Sequence, residues 1–300
     1  MATRRVKTFS RGQPCPYFKG RDTSTTNIFR NLLHIISYHS IIQGSGIGPY
    51  LYLVYASDLQ TLSPHNIIIK YADDTTLLVG QHSSVDIQQE YGNICSWSAR
   101  NRLTLNPDKT REIVFHRPAS RHLNIPPPLS DIQRVTQATL LGFDITSTLS
   151  TSVYVDRILK QINQRLYLLS QLKSQGMKVQ ALHELFIGLI MSKITYALPA
   201  FAGHLTADDR NRINAISRKA LRRGVTHTAF DIAEIINKFD RKLFSQIIHP
   251  GHCLYHLLPP KTPAHCRYSL RERQHSFQLS NIEFSQFKNS YINRCLFKFR

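Results

Sequence analysis

Cysteine and acidic residues are scarce in this sequence of 300 residues, and it has no long apolar run. The five cysteines are scattered and odd in number, which argues against a disulfide framework and favours a reducing compartment. The best membrane candidate, residues 185–202, is interrupted by Lys193 and broken by Pro199. The N-terminus lacks the apolar core of a secretory signal. We therefore expect an intracellular protein, in the nucleus or the cytoplasm, with no signal peptide and no transmembrane segment.

The scarcity of acids leaves a large positive charge. There are 38 Lys and Arg residues against 19 Asp and Glu residues, a formal charge of +19. So large an excess, spread along the chain, indicates a polyanionic partner, and nucleic acid is the first candidate. Charge alone does not separate nucleic acid from an anionic membrane surface.

The rest of the chain is organised around the stretch from Ile67 to Val79. Two short apolar, β-branched runs flank the adjacent carboxylates Asp73 and Asp74, a pattern typical of a β-hairpin with acids at its tip. Carboxylates held on a rigid hairpin suit Mg²⁺, which binds one or two protein carboxylates together with substrate phosphates. This combination points to two-metal phosphoryl transfer. The alternative is an ordinary polar turn, because Asp is a favoured turn residue.

Around this hairpin the pattern is that of an α+β fold with a change of period near residue 150. A Gly-rich segment, 43–49, precedes an aromatic-aliphatic helix, and a second helix runs from about Val85 to Trp97 behind Ser83 or Ser84 as N-cap. A second hairpin follows at 138–145. From Val153 onward the apolar spacing is helical. We expect four segments: a basic irregular segment (1–27), a mixed α/β part (28–148), a helical part (149–224) and a basic C-terminal extension (225–300).

The third helix of the helical part carries the clearest candidates for backbone phosphate contacts. It begins at Thr206, has Asp208 and Asp209 in its first turn, and ends at Gly224. Four cations on it are able to grip a nucleic-acid backbone. They are Arg212, Lys219, Arg222 and Arg223. A solvated helix face with charges matched to the dipole is an equal alternative.

The C-terminal extension contains a loose group of His and Cys residues, from His249 to Cys266. Metal binding is the weaker interpretation, because there is no Cys-x-x-Cys pair and no second pair at finger spacing. Its basic runs, 267–273 and 294–300, are more consistent with nucleic-acid contacts or a solvated surface.

Several of these motifs together resemble one family. Tyr71-Ala72-Asp73-Asp74 resembles the YxDD box of reverse transcriptases. Gln43-Gly44-Ser45, with Gly48-Pro49 and Tyr55 to Leu59, is similar to the box just upstream in non-LTR (LINE-type, jockey-like) retrotransposons. Residues 105–110 resemble the next box, Leu141-Gly142 the primer-grip hairpin, and residues 154–202 the thumb. The likeness extends over residues 17–300 and has four boxes in the right order.

The resemblance implies a reverse-transcriptase palm followed by an α-helical thumb, with RNA template, DNA primer and deoxynucleoside triphosphates as partners. It implies that Asp73 and Asp74 bind Mg²⁺ and that Lys109 lies near the departing pyrophosphate. Tyr71 and Ala72 would lie beside the primer terminus. Gln43 and Gly44 would border the templating base and the incoming nucleotide.

One element of the family pattern is not found. The family's palm begins with a strand that bears a further catalytic Asp, and before Asp58 the only acid here is Asp22, in polar surroundings. Without that carboxylate two metal ions would be poorly held. The sequence is therefore interpreted as a fragment of an RNA-directed DNA polymerase that is inactive alone. The alternative is a non-enzymatic nucleic-acid-binding remnant. An uncovered edge of the incomplete sheet would also favour aggregation.

Overall fold

The computed structural model describes residues 32–36, 50, 54–71, 74–116, 125–261, 275–279, 281–282 and 284–299. These residues form a mixed α+β structure. The chain divides into two compact units between Ser150 and Thr151. We call the described residues from Leu32 to Ser150 the sheet unit and those from Thr151 to Phe299 the helical unit.

The sheet unit is built on a six-stranded sheet in the order β2-β3-β1-β5-β6, with β4 also paired to β1. Its strands are β1 (Leu32–Ile36), β2 (Ile67–Tyr71), β3 (Asp74–Leu78), β4 (Thr104–Leu105), β5 (Arg111–Ile113) and β6 (Gln133–Val135). All pairs are antiparallel except β5 with β6. A separate hairpin is formed by β7 (Gln137–Leu140) and β8 (Phe143–Thr146). The predicted Asp-Asp hairpin and the second hairpin are both present.

One helix, α1 (Ile87–Arg100), covers this sheet. It buries Ile87, Ile94 and Trp97 in a core shared with Leu59 and Leu77. The predicted N-cap at Ser83 or Ser84 is wrong. The cap is Asp86, whose carboxylate accepts from the main-chain N–H of Gln89 while the Gln89 side chain accepts from the main-chain N–H of Asp86, a complete capping box.

The helical unit begins with α2 (Ser152–Ser174) and α3 (Val179–Phe186), followed by a π-helical turn (Ile187–Met191). It continues through α4 (Ser192–Thr195), α5 (Leu198–Phe201), α6 (Ala207–Arg222) and α7 (Ile232–Ile247). The last described helices are α8 (Ser285–Asn289) and α9 (Tyr291–Lys298). Short 3₁₀ turns lie at Ala56–Asp58, Ala202–His204 and Tyr255–Leu257.

The predicted apolar face of α2 lies in the core, with Ile162 and Leu166 fully buried. On the following stretch Leu182, Phe186 and Ile190 are buried, whereas the adjacent Leu189 is 41% exposed. The π-helical turn explains this difference, because its wider turn changes the phase of the residues that follow. The main-chain carbonyl of Leu189 in that turn accepts a hydrogen bond from the Arg165 guanidinium.

One helical stretch, Val179–His204, has the length and mean hydropathy (1.6) of a membrane span. This is weak evidence for a span, because the core helix of a soluble protein meets the same criterion. Two features oppose the interpretation. The helix is interrupted at Ala197, which is left-handed with φ 53°, and its face from Leu182 to Leu198 is packed in the core. An interrupted backbone is costly in lipid unless other groups satisfy it.

Candidate functional site

The central motif lies at the junction of β2 and β3, and its second acid, Asp74, is placed by the pairing of these strands. Residues of β2 and β3 pair from Ile67↔Leu78 to Tyr71↔Asp74. Asp74 is the first residue of β3 and is half-buried, and Tyr71 is 64% exposed. Ala72 and Asp73 lie outside the described residues, as do Gln43 and Gly44.

Strand β1 occupies the other edge of β3. Its register pairs His34 with Asp74 and Leu32 with Thr76. Strand β3 is therefore paired on both sides, and β2 and β6 are the edges of the described sheet. The sequence of β1 is Leu-Leu-His-Ile-Ile and contains no acid. The strand beside Asp74 thus contributes no carboxylate.

Lys109 lies beyond β1 on the side opposite Asp74. Leu105 of β4 and Arg111 of β5 both pair with β1, and Lys109 belongs to the turn between β4 and β5. Asn106 holds this turn, since its main-chain carbonyl accepts from the N–H (3.0 Å) and the hydroxyl (2.7 Å) of Thr110. With β1 between them, Asp74 and the Lys109 turn are separated by two strand spacings of about 4.8 Å each.

Lys70, which the motif analysis did not single out, anchors the hairpin. Its ammonium group donates to the main-chain carbonyl oxygens of Ala56 and Leu59, the latter at 2.7 Å. Burial lowers the pKa of Lys70, and the nearby carboxylate of Asp58 opposes that shift. A lysine within the otherwise apolar run of β2 was the signal in the sequence. This residue ties the strand that leads into the acidic turn to the 3₁₀ turn Ala56–Asp58.

Asp58, in the segment Tyr55–Leu59 that resembles the upstream box, is also bound within the fold. Its carboxylate accepts a 2.9 Å hydrogen bond from the indole N–H of Trp97. The Tyr55 ring packs edge-on against Trp97, with centroids 6.3 Å apart, and its hydroxyl donates to the carbonyl of Asn101. Asp58 therefore serves the packing of α1.

Leu141 and Gly142, the predicted primer-grip residues, form the two-residue turn of the β7–β8 hairpin. Both have positive φ, 47° and 80°, which is the combination that a type I′ turn requires. Glycine adopts this conformation at little cost, whereas Leu pays a steric penalty of about 1–2 kcal/mol. Leu141 is also 42% exposed. A strained apolar residue at an exposed hairpin tip is a feature that recurs at functional sites.

The four cations of α6 are mostly engaged with α2. Arg212 pairs with Asp156 and with Asp209 (3.5 Å). Lys219 donates to the side-chain oxygen of Asn163 at 2.6 Å, and Arg223 donates to the Ser170 hydroxyl at 3.4 Å. Arg222 is exposed. The predicted cap at Thr206 and the end at Gly224, with φ 62°, are confirmed.

No group of three or more His, Cys, Asp or Glu side chains that could hold a metal ion is found among the described residues. His252 and His256 of the C-terminal group accept or donate bonds only within their own turn, to Leu254 and Cys253. Among the described residues the hairpin offers Asp74 to a Mg²⁺ ion, and Asp73 lies outside them. No family model, curated protein or solved structure matches the chain.

Proposed function

We propose that this chain is a palm-and-thumb fragment of a non-LTR retrotransposon reverse transcriptase that binds RNA–DNA duplex but does not polymerise by itself. The observation that carries the proposal is the β2–β3 hairpin, whose last pair is Tyr71↔Asp74 and whose strand β3 also pairs with β1. An acidic turn between paired strands is the arrangement that the resemblance to the YxDD box requires.

The order of elements supports this assignment. The Gly-rich segment, the acidic hairpin, the Lys109 turn and the Leu141–Gly142 hairpin follow one another in the sequence, and the helical unit comes next. The palm would correspond to residues 28–148 and the thumb to residues 149–224. The formal charge of +19 supports a polyanionic partner for the whole chain.

The proposed lack of activity rests on β1. Asp73 and Asp74 would bind Mg²⁺, which supplies charge stabilisation for phosphoryl transfer when it is bound. Strand β1 fills the place beside β3 without a carboxylate, and His34 stands at the register position opposite Asp74. Two carboxylates alone hold two metal ions poorly, because they supply too few ligands. The same observation favours the second candidate, a non-enzymatic nucleic-acid-binding remnant, in which the two acids have no catalytic role.

Binding to a labelled RNA–DNA duplex tests the function that both candidates share. We expect affinity to fall steeply with salt, with a slope of log K against log salt of about −0.9 per phosphate contact, because cation contacts release counterions. The anisotropy of the duplex would be followed over a salt series. Absence of binding at about 0.1 M salt would contradict both candidates.

A further inference from the structure

The sheet unit contains an open cleft that the motif analysis did not identify. Its volume is about 450 Å³, and it is lined by Lys109 and Arg111 on one wall and by Gln137, Ala138 and Thr139 of β7 on the other. None of the lining residues is acidic, and none belongs to β2 or β3. The cleft is therefore distinct from the acidic hairpin.

The two cations of the cleft are available to a ligand. Lys109 is exposed, and among the described residues its ammonium group has no hydrogen bond or ion pair. Arg111 uses one guanidinium nitrogen, Nη1, which donates to the Thr110 carbonyl at 2.8 Å. By contrast, the guanidinium of the nearby Arg134 makes four hydrogen bonds within the fold. The remaining N–H groups of Arg111 form a planar fork, which suits phosphate oxygens.

The opposite wall adds neutral donors. Within the described part of the chain β7 pairs only with β8, so its other edge presents main-chain N–H groups. Gln137 is exposed and carries a side-chain amide that is able to donate.

Two carboxylates adjoin the cations in sequence without lining the cleft: Asp108 is exposed, and Glu112 is paired with Arg134. Asp144, beside β7, is 2% exposed and accepts from the Thr139 hydroxyl at 2.7 Å. The Asp144 carboxylate is therefore buried and hydrogen-bonded within the hairpin.

We propose that the Lys109–Arg111 cleft binds a phosphate group of a polynucleotide strand. Two cations and a strand edge are complementary to a phosphodiester, and the cleft is open to solvent, as binding to one phosphate of a longer strand requires. The inference rests on the proposed function and deepens it, because it names the surface by which the sheet unit contacts nucleic acid. Free diphosphate (inorganic pyrophosphate) offers the same phosphate oxygens as a polynucleotide strand, and the experiments below distinguish these two ligands.

The first test measures binding of a fluorescent single-stranded oligonucleotide, about 20 nucleotides long, across a salt series. The double variant Lys109→Ala/Arg111→Ala should bind about 25-fold more weakly at about 0.1 M salt, because each phosphate contact contributes a slope of about 0.7 for single strands. The salt slope should fall by about 1.4. The double variant Arg100→Ala/Lys238→Ala removes the same charge from exposed sites outside the cleft and should stay within about twofold of the unmodified chain.

The second test uses the unmodified chain and does not depend on how the variants fold. Acetylation of Lys109, followed by mass spectrometry, should slow several-fold when the oligonucleotide is bound, while acetylation of Lys238 should not change. Inorganic pyrophosphate is the competing probe.

Three results would overturn the proposal. One is an oligonucleotide affinity and salt slope unchanged by the Lys109/Arg111 substitutions, which would leave the proposed function standing. Another is protection of Lys109 by pyrophosphate but not by the oligonucleotide, which would assign the cleft to free diphosphate. The third is absence of oligonucleotide binding by the unmodified chain, and the duplex-binding test then decides the proposed function separately.

Discussion

The sheet unit and the helical unit each contain an arginine paired with a buried carboxylate, and we call this pair the lock of the unit. The two units differ in whether their other cations are bonded within the fold. In each unit an arginine binds a fully buried carboxylate through two parallel hydrogen bonds, Arg134 to Glu112 and Arg294 to Asp240. Each arginine also donates to two main-chain carbonyls. These contacts bring distant segments of each unit together.

The two units differ in where the side chains of their other cations are bonded. In the helical unit Arg212, Lys219 and Arg223 join α6 to α2. In the sheet unit Lys109 and Arg111 line an open cleft. The helix whose sequence most strongly indicated phosphate contacts thus has most of its charge tied into packing, while a less conspicuous turn presents charge to solvent. A basic sequence pattern indicates a polyanionic partner, and the tertiary structure decides which of the cations can reach it.

The largest effect that we expect comes from breaking the lock of the helical unit. Arg294→Ala leaves Asp240 charged and 0% exposed, which should lower the free energy of unfolding by about 3–5 kcal/mol. Helical circular dichroism during urea unfolding would report this change. Lys238→Ala, an exposed residue on the same helix as Asp240, is the control and should change the free energy of unfolding by less than about 0.5 kcal/mol. Equal effects of the two substitutions would refute the lock.

The Arg134–Glu112 pair of the sheet unit should contribute less to the free energy of unfolding. After Arg134→Ala, Glu112 still accepts a hydrogen bond from the main-chain N–H of Leu129 at 3.3 Å. Arg134 is also more exposed than Arg294, 24% against 15%. We expect a loss of about 1.5–3 kcal/mol. Fluorescence of Trp97, the single tryptophan, reports unfolding of this unit. A loss larger than that of Arg294→Ala would reverse the comparison.

Two glycines of the sheet unit should respond to alanine with opposite signs. At Gly92, in α1, nothing lies within 4 Å of the added Cβ, so Gly92→Ala should stabilise by up to about 1 kcal/mol through helix propensity. At Gly142 φ is 80°, and Gly142→Ala should destabilise by about 1–2 kcal/mol. The midpoint of Trp97 fluorescence measures both. A stabilising Gly142→Ala would show that the hairpin turn differs from the one described.

The smallest effect is a pH dependence of the helical unit. Burial, and then the charge of Arg294, lower the pKa of His204 below its usual 6.5. The folded unit therefore binds this proton less readily than the unfolded chain does. Its contribution to stability is present above pH 6.5 and is lost as the pH falls through the lowered pKa. His204→Gln should flatten the decline of the melting temperature between pH 7 and pH 5, and the exposed His256→Gln should not.

Local patterns predicted much of this fold. Apolar runs on either side of Asp73 and Asp74 located the hairpin, because strand pairing there needs only a short turn. The α2 face and the cap and end of α6 followed from helical spacing and from terminal residues. Turn and cap chemistry acts over a few residues, so the sequence displays it directly.

Other features depend on partners distant in the sequence and could not be predicted. The apolar residues around Leu32 have spacings that fit either a helix or a strand, and pairing with β3 and β5 makes the stretch β1. Several neighbouring residues are possible N-caps of α1. Asp86 is the cap because Gln89, three residues later, completes the capping box. The pairing of Arg212 with Asp156 and the approach of β7 to Lys109 and Arg111 arise from packing across many residues.

The most direct test of the central claim is primer extension on poly(rA)/oligo(dT) with Mg²⁺ and dTTP, comparing the chain with its Asp73→Ala variant. We predict no incorporation by either protein, together with salt-sensitive binding of both to the same duplex, since β1 supplies no carboxylate beside Asp74. Incorporation by the unmodified chain that Asp73→Ala abolishes would contradict this account. It would show that the two acids suffice for catalysis without a carboxylate on β1.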